Sequence, residues 1–320
     1  SKFVVDGMLD WNNGTITGGG GVDVYGTLDL DIGASTTLDG TVEIFGSATI
    51  DGSGNDLNGT GSLKNSGSTT IAGTAGFWPE LVNNFDGTLT IKSEGAPTAI
   101  TKNNGGATYD VFNDGLIVID ALGTGTHSVT LTMSSSSQLI SQGTIQVLDS
   151  AGNNSLKTVV APDSSFFVND GLIDVDADLT IDVDGSTLDT ENGLIDIATG
   201  VDLTIAGGTS GTVEIGSGTN LSGTGNLIFT GNVTLTVINN VFLDAPGLFF
   251  DTSGGDVTIT GSGFSVGFGT SFGLNSGDSV STSLFENFGT LDLTGDGITI
   301  TSPFNNQGTL QINGGPGSGL

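Results

Sequence analysis

One short phrase recurs along this chain and limits what it can fold into. It reads Asn, any residue, Gly, Thr or Leu, Leu or Ile, any residue, then an aliphatic. Copies stand at Asn113–Ile119 (NDGLIVI), Asn169–Val175 (NDGLIDV), Asn287–Leu293 (NFGTLDL) and Asn306–Ile312 (NQGTLQI). Looser copies begin at Gly26, Gly40, Gly87, Gly143, Gly193 and Gly211. A turn followed by a strand of period two, repeated throughout, marks a stacked repeat fold. Each unit of such a fold packs only on its neighbours, so the core grows along one axis and one domain can hold all residues, 1–320.

The spacing selects among repeat folds. Gly87, Gly115, Gly143 and Gly171 are each 28 residues apart, but Gly193 and Gly211 follow at 22 and 18. That drift excludes a strict-period repeat and predicts an all-β, single-stranded parallel β-helix (a β-solenoid) whose corner loops vary in length. Coils of about 20–28 residues would number about a dozen. The cleanest strand pattern is Ile173–Asp184. Ile173, Val175, Ala177, Leu179, Ile181 and Val183 alternate with Asp174, Asp176, Asp178, Thr180, Asp182 and Asp184, which puts aliphatics in the bore and acids outside. Its length predicts two strands joined at a corner. The stretch around Phe77, Trp78 and Phe85 breaks the repeat and predicts an inserted loop or short helix near 74–86.

Turn asparagines Asn113, Asn169, Asn287 and Asn306 each stand two residues before a glycine. Stacked coils would align them into a hydrogen-bonded turn ladder, with the glycine supplying a positive φ at the corner. Ten of the 17 phenylalanines follow residue 228, which predicts stacked interior aromatics toward the C-terminal end.

Charge narrows the partners. The chain carries 35 acidic against 5 basic residues, a formal net charge of −30, and no arginine. Nucleic acid needs a clustered positive surface, so it is excluded as a partner. An anionic membrane surface is disfavoured likewise, and no apolar run is long enough for direct membrane insertion. Divalent cations are the natural partners of this field. Asp174, Asp196 and Glu214 each lie three residues after a glycine, an offset shared by Asp29, Glu43 and Asp292. If these strands stacked in register, carboxylates would form columns about 4.8 Å apart, repelling by about 0.9 kcal/mol per pair even at the dielectric of water. Ca²⁺ would relieve that repulsion, and aspartate oxygens suit it. The candidate metal ligands are Asp174, Asp176, Asp178, Asp182, Asp184, Asp196 and Glu214, against the plainer reading of a solvated acidic face. Gly18–Asp23 (GGGGVD) matches the opening of a calcium-binding nonapeptide, but as a single copy.

The phrases FNNQGTLQI, NDGLIDV and GSGTNLSGTGNLIFTGNVTLTV resemble the passenger segments of bacterial secreted surface β-helix proteins, the filamentous-haemagglutinin-like adhesins and autotransporter passengers. The resemblance covers most of the chain and implies a right-handed parallel β-helix at an extracellular or cell-surface location. Its motifs specify a style of fold and no site. Departures are the lack of a C-terminal membrane barrel, of a secretion signature domain and of an integrin-type tripeptide.

Catalysis finds little support. β-Helix lyases need a cationic base, and the five lysines here are scattered; the acid doublet common in galacturonan hydrolases is missing. Exposed carboxylates stay ionised and make poor proton donors. His127 is the one histidine, placed in a Gly/Thr-rich turn. Thr258–Thr260 and Thr299–Thr301 suggest flat hydroxyl arrays, without a Thr-x-Thr at every coil. The expected function is a non-catalytic structural or adhesive rod, calcium-stabilised if the acids bind. The alternatives are a subunit that associates end to end into an extracellular filament or sheath, and a carbohydrate-binding or polysaccharide-degrading β-helix protein that meets a cell-surface or glycan receptor, with Trp78 as a glycan contact.

Overall fold

The computed structural model describes residues 2–94, 97–102, 111–122, 128–133, 137–148, 157–160 and 166–313. The chain divides into two compact units, Ser1–Val160 and Ala161–Leu320. His127 lies outside the described residues.

Both units are β-solenoids, built from parallel strands with no helix among the described residues. In unit one, one sheet climbs from Phe3–Val5 through Val22–Val24, Thr41–Ile44, Ser62–Asn65, Glu80–Asn83 and Val111–Asn113 to Gln138–Ser141. Those are seven windings. Unit two repeats the arrangement from Phe166–Asn169 through Thr187–Asp189, Gly211–Ile215, Val233–Val237, Val257–Gly261 and Ser279–Thr282 to Thr299–Ile300, seven more and close to the expected count. Parallel neighbours need a crossover, and here the strands of the adjoining faces supply it. Windings take 18 residues from Leu63 to Leu81 and 30 from Leu81 to Val111, so corner length absorbs the irregular spacing of the sequence.

The alternation of the sequence becomes burial. Ile173, Val175, Ala177, Leu179, Ile181 and Val183 are buried, while the acids between them are partly or fully exposed. The segment forms two strands, Leu172–Val175 and Leu179–Asp182, with a corner between them as expected. Each aliphatic stacks on its equivalent one winding on, as Leu179 on Leu203 and Ile181 on Ile205. Full burial of such a side chain stabilises by about 1.5–3 kcal/mol. The late phenylalanines do stack inside: Phe250, Phe272, Phe264 and Phe285 form a chain of rings 5.2–5.9 Å apart. Phe242, Phe268 and Phe288 meet on the outside instead, where Phe268 is 66% exposed.

Two local expectations are corrected. The stretch near 74–86 holds no helix: Ser68–Phe77 and Glu80–Asn83 are strands, and the second sits in register between Ser62–Asn65 and Val111–Asn113. Alternation continues through it, with Leu81 and Asn83 buried; of the aromatics that disguise it, Phe77 ends the preceding strand and is buried, whereas Phe85 is exposed. The strand-starting glycines are not left-handed either; Gly26, Gly46, Gly115, Gly289 and Gly308 are not among the positive-φ residues. They are glycine because windings approach closely there. A Cβ on Gly46 would lie 2.0 Å from the carbonyl oxygen of Gly26, and one on Gly67 2.0 Å from that of Gly46.

Candidate functional site

Two features of the stack concentrate polar chemistry: a ladder inside one corner and the carboxylates outside. The ladder begins at Asn65 in unit one. Its Nδ2 donates to Asn83 Oδ1 at 2.8 Å, Asn83 Nδ2 donates to Asn113 Oδ1 at 2.8 Å, and Asn113 Nδ2 donates to Ser141 Oγ at 3.0 Å. Each amide also donates to a main-chain carbonyl of the next winding, that of Thr88, Leu116 or Thr144. The side chains are at most 1% exposed, so the bonds form away from water, where they strengthen one another. In unit two Asn169 Nδ2 donates to Leu194 O at 3.3 Å and, more weakly, to Thr190 Oγ1. Asn287 Nδ2 donates to Asn306 Oδ1 at 2.7 Å. All four expected asparagines therefore occupy turn-ladder positions. Asn65 and Asn83 were missed. Asn65 carries the same signal, an asparagine two residues before Gly67, but Asn83 stands four residues before Gly87 and has none.

The carboxylates do not form the expected continuous columns. An equal offset from a glycine places residues on different faces: Asp174 pairs with Asp196, whereas Glu214 belongs to another sheet and pairs with Asp189. Adjacent acids come in twos among the described registers. Asp174 and Asp196 are followed by Ser222, Asp189 and Glu214 by Thr236, Asp29 by Thr49, and Asp23 and Glu43 by Lys64. In the first of these the third residue answers the acid, with Ser222 Oγ donating to Asp196 Oδ1. Lys2 Nζ also bridges the last of these pairs, lying 2.8 Å from Asp23 and 3.2 Å from Glu43.

The run Asp174, Asp176, Asp178, Asp182 and Asp184 does not converge on one point, because alternate residues of a strand lie about 6.6 Å apart. Several members act as caps. Asp178 Oδ1 accepts the backbone N–H of Asp202 at 3.0 Å, and Asp182 Oδ1 that of Asp184 at 3.1 Å. Asp184 Oδ1 accepts from the backbone and hydroxyl of Thr209, at 2.8 and 2.9 Å, and from the backbone of Ser210. Those donors, Thr209 first, hold the Asp184 carboxyl below its usual value.

A different trio converges. Oxygens of Asp189, Glu191 and Glu214 all lie within 4.8 Å of one another, the one such group among the described residues. Only Glu214 was expected. Asp189 and Glu191 share the corner after Thr187–Asp189, where Asp189 Oδ1 accepts the Glu191 backbone N–H at 3.1 Å. Burial, then the charges of Asp189 and Glu191, raises the Glu214 pKa. Three carboxylate oxygens facing one point are a donor set that suits Ca²⁺, with water needed to complete its six to eight ligands.

Asp278 was also missed. It is fully buried, with Oδ1 accepting the Val257 N–H at 2.7 Å and Oδ2 the Asn275 N–H at 2.6 Å. Burial raises its pKa against the pull of these bonds. Trp78 is half-buried and its indole Nε1 donates to Asp56 Oδ2 at 3.2 Å. No helix among the described residues is long and apolar enough to cross a membrane. Compared with known proteins, the chain matches no family model, no curated protein and no solved structure.

Proposed function

We propose that this chain is a non-catalytic structural segment of a bacterial extracellular or cell-surface protein, a β-solenoid scaffold that presents its outer faces to the surroundings. The buried asparagine ladder carries the reading. A chain of buried amides, each bonded to the next winding, stiffens a corner and fixes register, which a spacer requires and a loose surface loop does not. The acidic exterior keeps the scaffold soluble and makes it responsive to divalent cations. Electron microscopy and light scattering of the purified chain test the reading: single particles of monomer mass support a spacer.

Cation response gives a thermal test. Glu214 has a raised pKa, so the folded state holds its proton more tightly than the unfolded chain does. Its contribution to stability is therefore fully present below the ordinary value of 4.5 and is lost as pH rises through the raised value. The Tm should thus rise as pH falls from neutrality toward 4.5, and fall again at lower pH as Asp184 is protonated below its ordinary 3.8. Millimolar calcium chloride at neutral pH should raise the Tm by several degrees more than sodium chloride of equal ionic strength. Glu214→Gln should remove most of that difference. Equal effects of the two salts would leave the carboxylates as a solvated face.

A further inference from the structure

We propose that the groove across the early windings of unit one binds a neutral saccharide chain, with Asp39, Ser62 and Glu80 as its hydrogen-bonding residues. This goes beyond the scaffold reading, which needs no ligand.

The groove encloses about 490 Å³ and touches four successive windings, at Gly19, Asp39–Thr41, Thr60–Ser62 and Glu80. At about 4.8 Å per winding it spans some 14 Å, the length of about three sugar rings. Its volume falls within the usual range of ligand sites.

Ser62 points to a ligand independently of the groove's shape. It stands in register between Thr41 and Glu80, in the column whose side chains leave the outer face of the sheet. Ser62 is only 8% exposed, and its Oγ has no hydrogen-bond partner. A buried hydroxyl left unpaired costs about 1–3 kcal/mol, and the donors and acceptors of a sugar would satisfy it. Asp39 is already oriented, because its Oδ1 accepts the Thr60 N–H at 3.1 Å. The floor is bare main chain. A Cβ on Gly61 would lie 2.0 Å from the Gly40 carbonyl oxygen, so a side chain cannot replace that glycine without moving backbone.

The lining selects the ligand class. It holds two carboxylates, three hydroxyls and glycines, with no aromatic, aliphatic or basic side chain. Apolar ligands gain nothing there. Phosphates, sulfates and uronates meet only like charge, within a chain of net charge −30. A bare cation is not favoured either, since Asp39 and Glu80 belong to no converging carboxylate group. A neutral polyol fits: its hydroxyls donate to the carboxylates and accept from serine, threonine and main-chain N–H groups.

The test is a titration of the full-length protein, isotope-labelled, with cellohexaose, laminarihexaose, xylohexaose and mannohexaose, observing the amide resonances of Gly19, Gly40 and Gly61. At least one sugar should shift them saturably in the millimolar range or tighter, and hexagalacturonate should not. A Cβ at Gly19 would meet nothing within 4 Å, and the residue is not left-handed, so Gly19→Gln fills the groove without disturbing the fold. It should weaken binding at least about tenfold. Ser62→Ala, at a raised Tm because it removes the unpaired hydroxyl, and Glu80→Gln, at an unchanged Tm, should each weaken it several-fold, and they carry the test should Gly19→Gln fail to fold. The proposal is overturned if no neutral sugar moves these resonances, if the variants bind as tightly as the parent, if hexagalacturonate competes equally, or if calcium chloride alone gives the same shifts. Such a failure leaves the scaffold reading standing, because that reading is tested by particle mass.

Discussion

Replacing Gly46 by alanine is expected to destabilise unit one by about 3 kcal/mol or more. A Cβ at this position would lie 2.0 Å from the Gly26 carbonyl oxygen and 2.4 Å from that of Tyr25. Both are main-chain atoms and cannot rotate aside. The Gly26 oxygen also belongs to a bond that joins the windings, accepting the Ser47 N–H at 3.0 Å, close to the bond from Phe45 N–H to Val24 O at 2.8 Å. Relieving the clash must therefore lengthen hydrogen bonds at that corner. Gly19→Ala is the matched control, because the added methyl meets nothing, and it should change stability by no more than about 0.5 kcal/mol. Stacked windings can unfold in parts, so residue-level hydrogen exchange should accompany urea melts. Equal losses in the two variants would defeat the close-approach explanation.

The second large effect is expected at Asn83. Leucine there keeps the volume but removes three bonds. Asn65 Nδ2 would lose one of its two acceptors, and Asn113 Oδ1 and the Leu116 carbonyl would each lose a donor. The site is 1% exposed, so water cannot readily substitute. We expect a loss of about 3 kcal/mol. Asn306→Leu, at an exposed position with one ladder neighbour, should lose about 1 kcal/mol or less. A double-mutant cycle of Asn83 with Asn113 should give a coupling energy of about 1 kcal/mol or more, whereas additive losses would mean that the amides act separately.

The period-two alternation made the strands, the bore and the interior aromatics readable, because those depend on local pattern and burial. Asn-x-Gly marked the ladder for the same reason, since each corner repeats one local geometry. Register between windings was not readable, and the errors follow from that. Asp174, Asp196 and Glu214 share an offset from glycine, yet only the first two are neighbours, because corner loops of different length move the third to another face. The trio of Asp189, Glu191 and Glu214 and the pairing of Asp278 with residues some twenty positions earlier depend on the same long-range alignment. The groove depends on four windings lying side by side, which no single stretch of sequence displays. The strand Glu80–Asn83 was hidden by flanking aromatics, although Leu81 and Asn83 keep its alternation.

In unit one the amides of the ladder donate in one direction, from Asn65, Asn83 and Asn113 each to the winding that follows it in the chain. The windings that carry Asn83 and Asn113 thus each find a waiting N–H group and leave the same one behind. A polypeptide that emerges gradually from its N-terminus can then fold by repeating a single docking step, with each turn templating the next and no need for the distant end to be present.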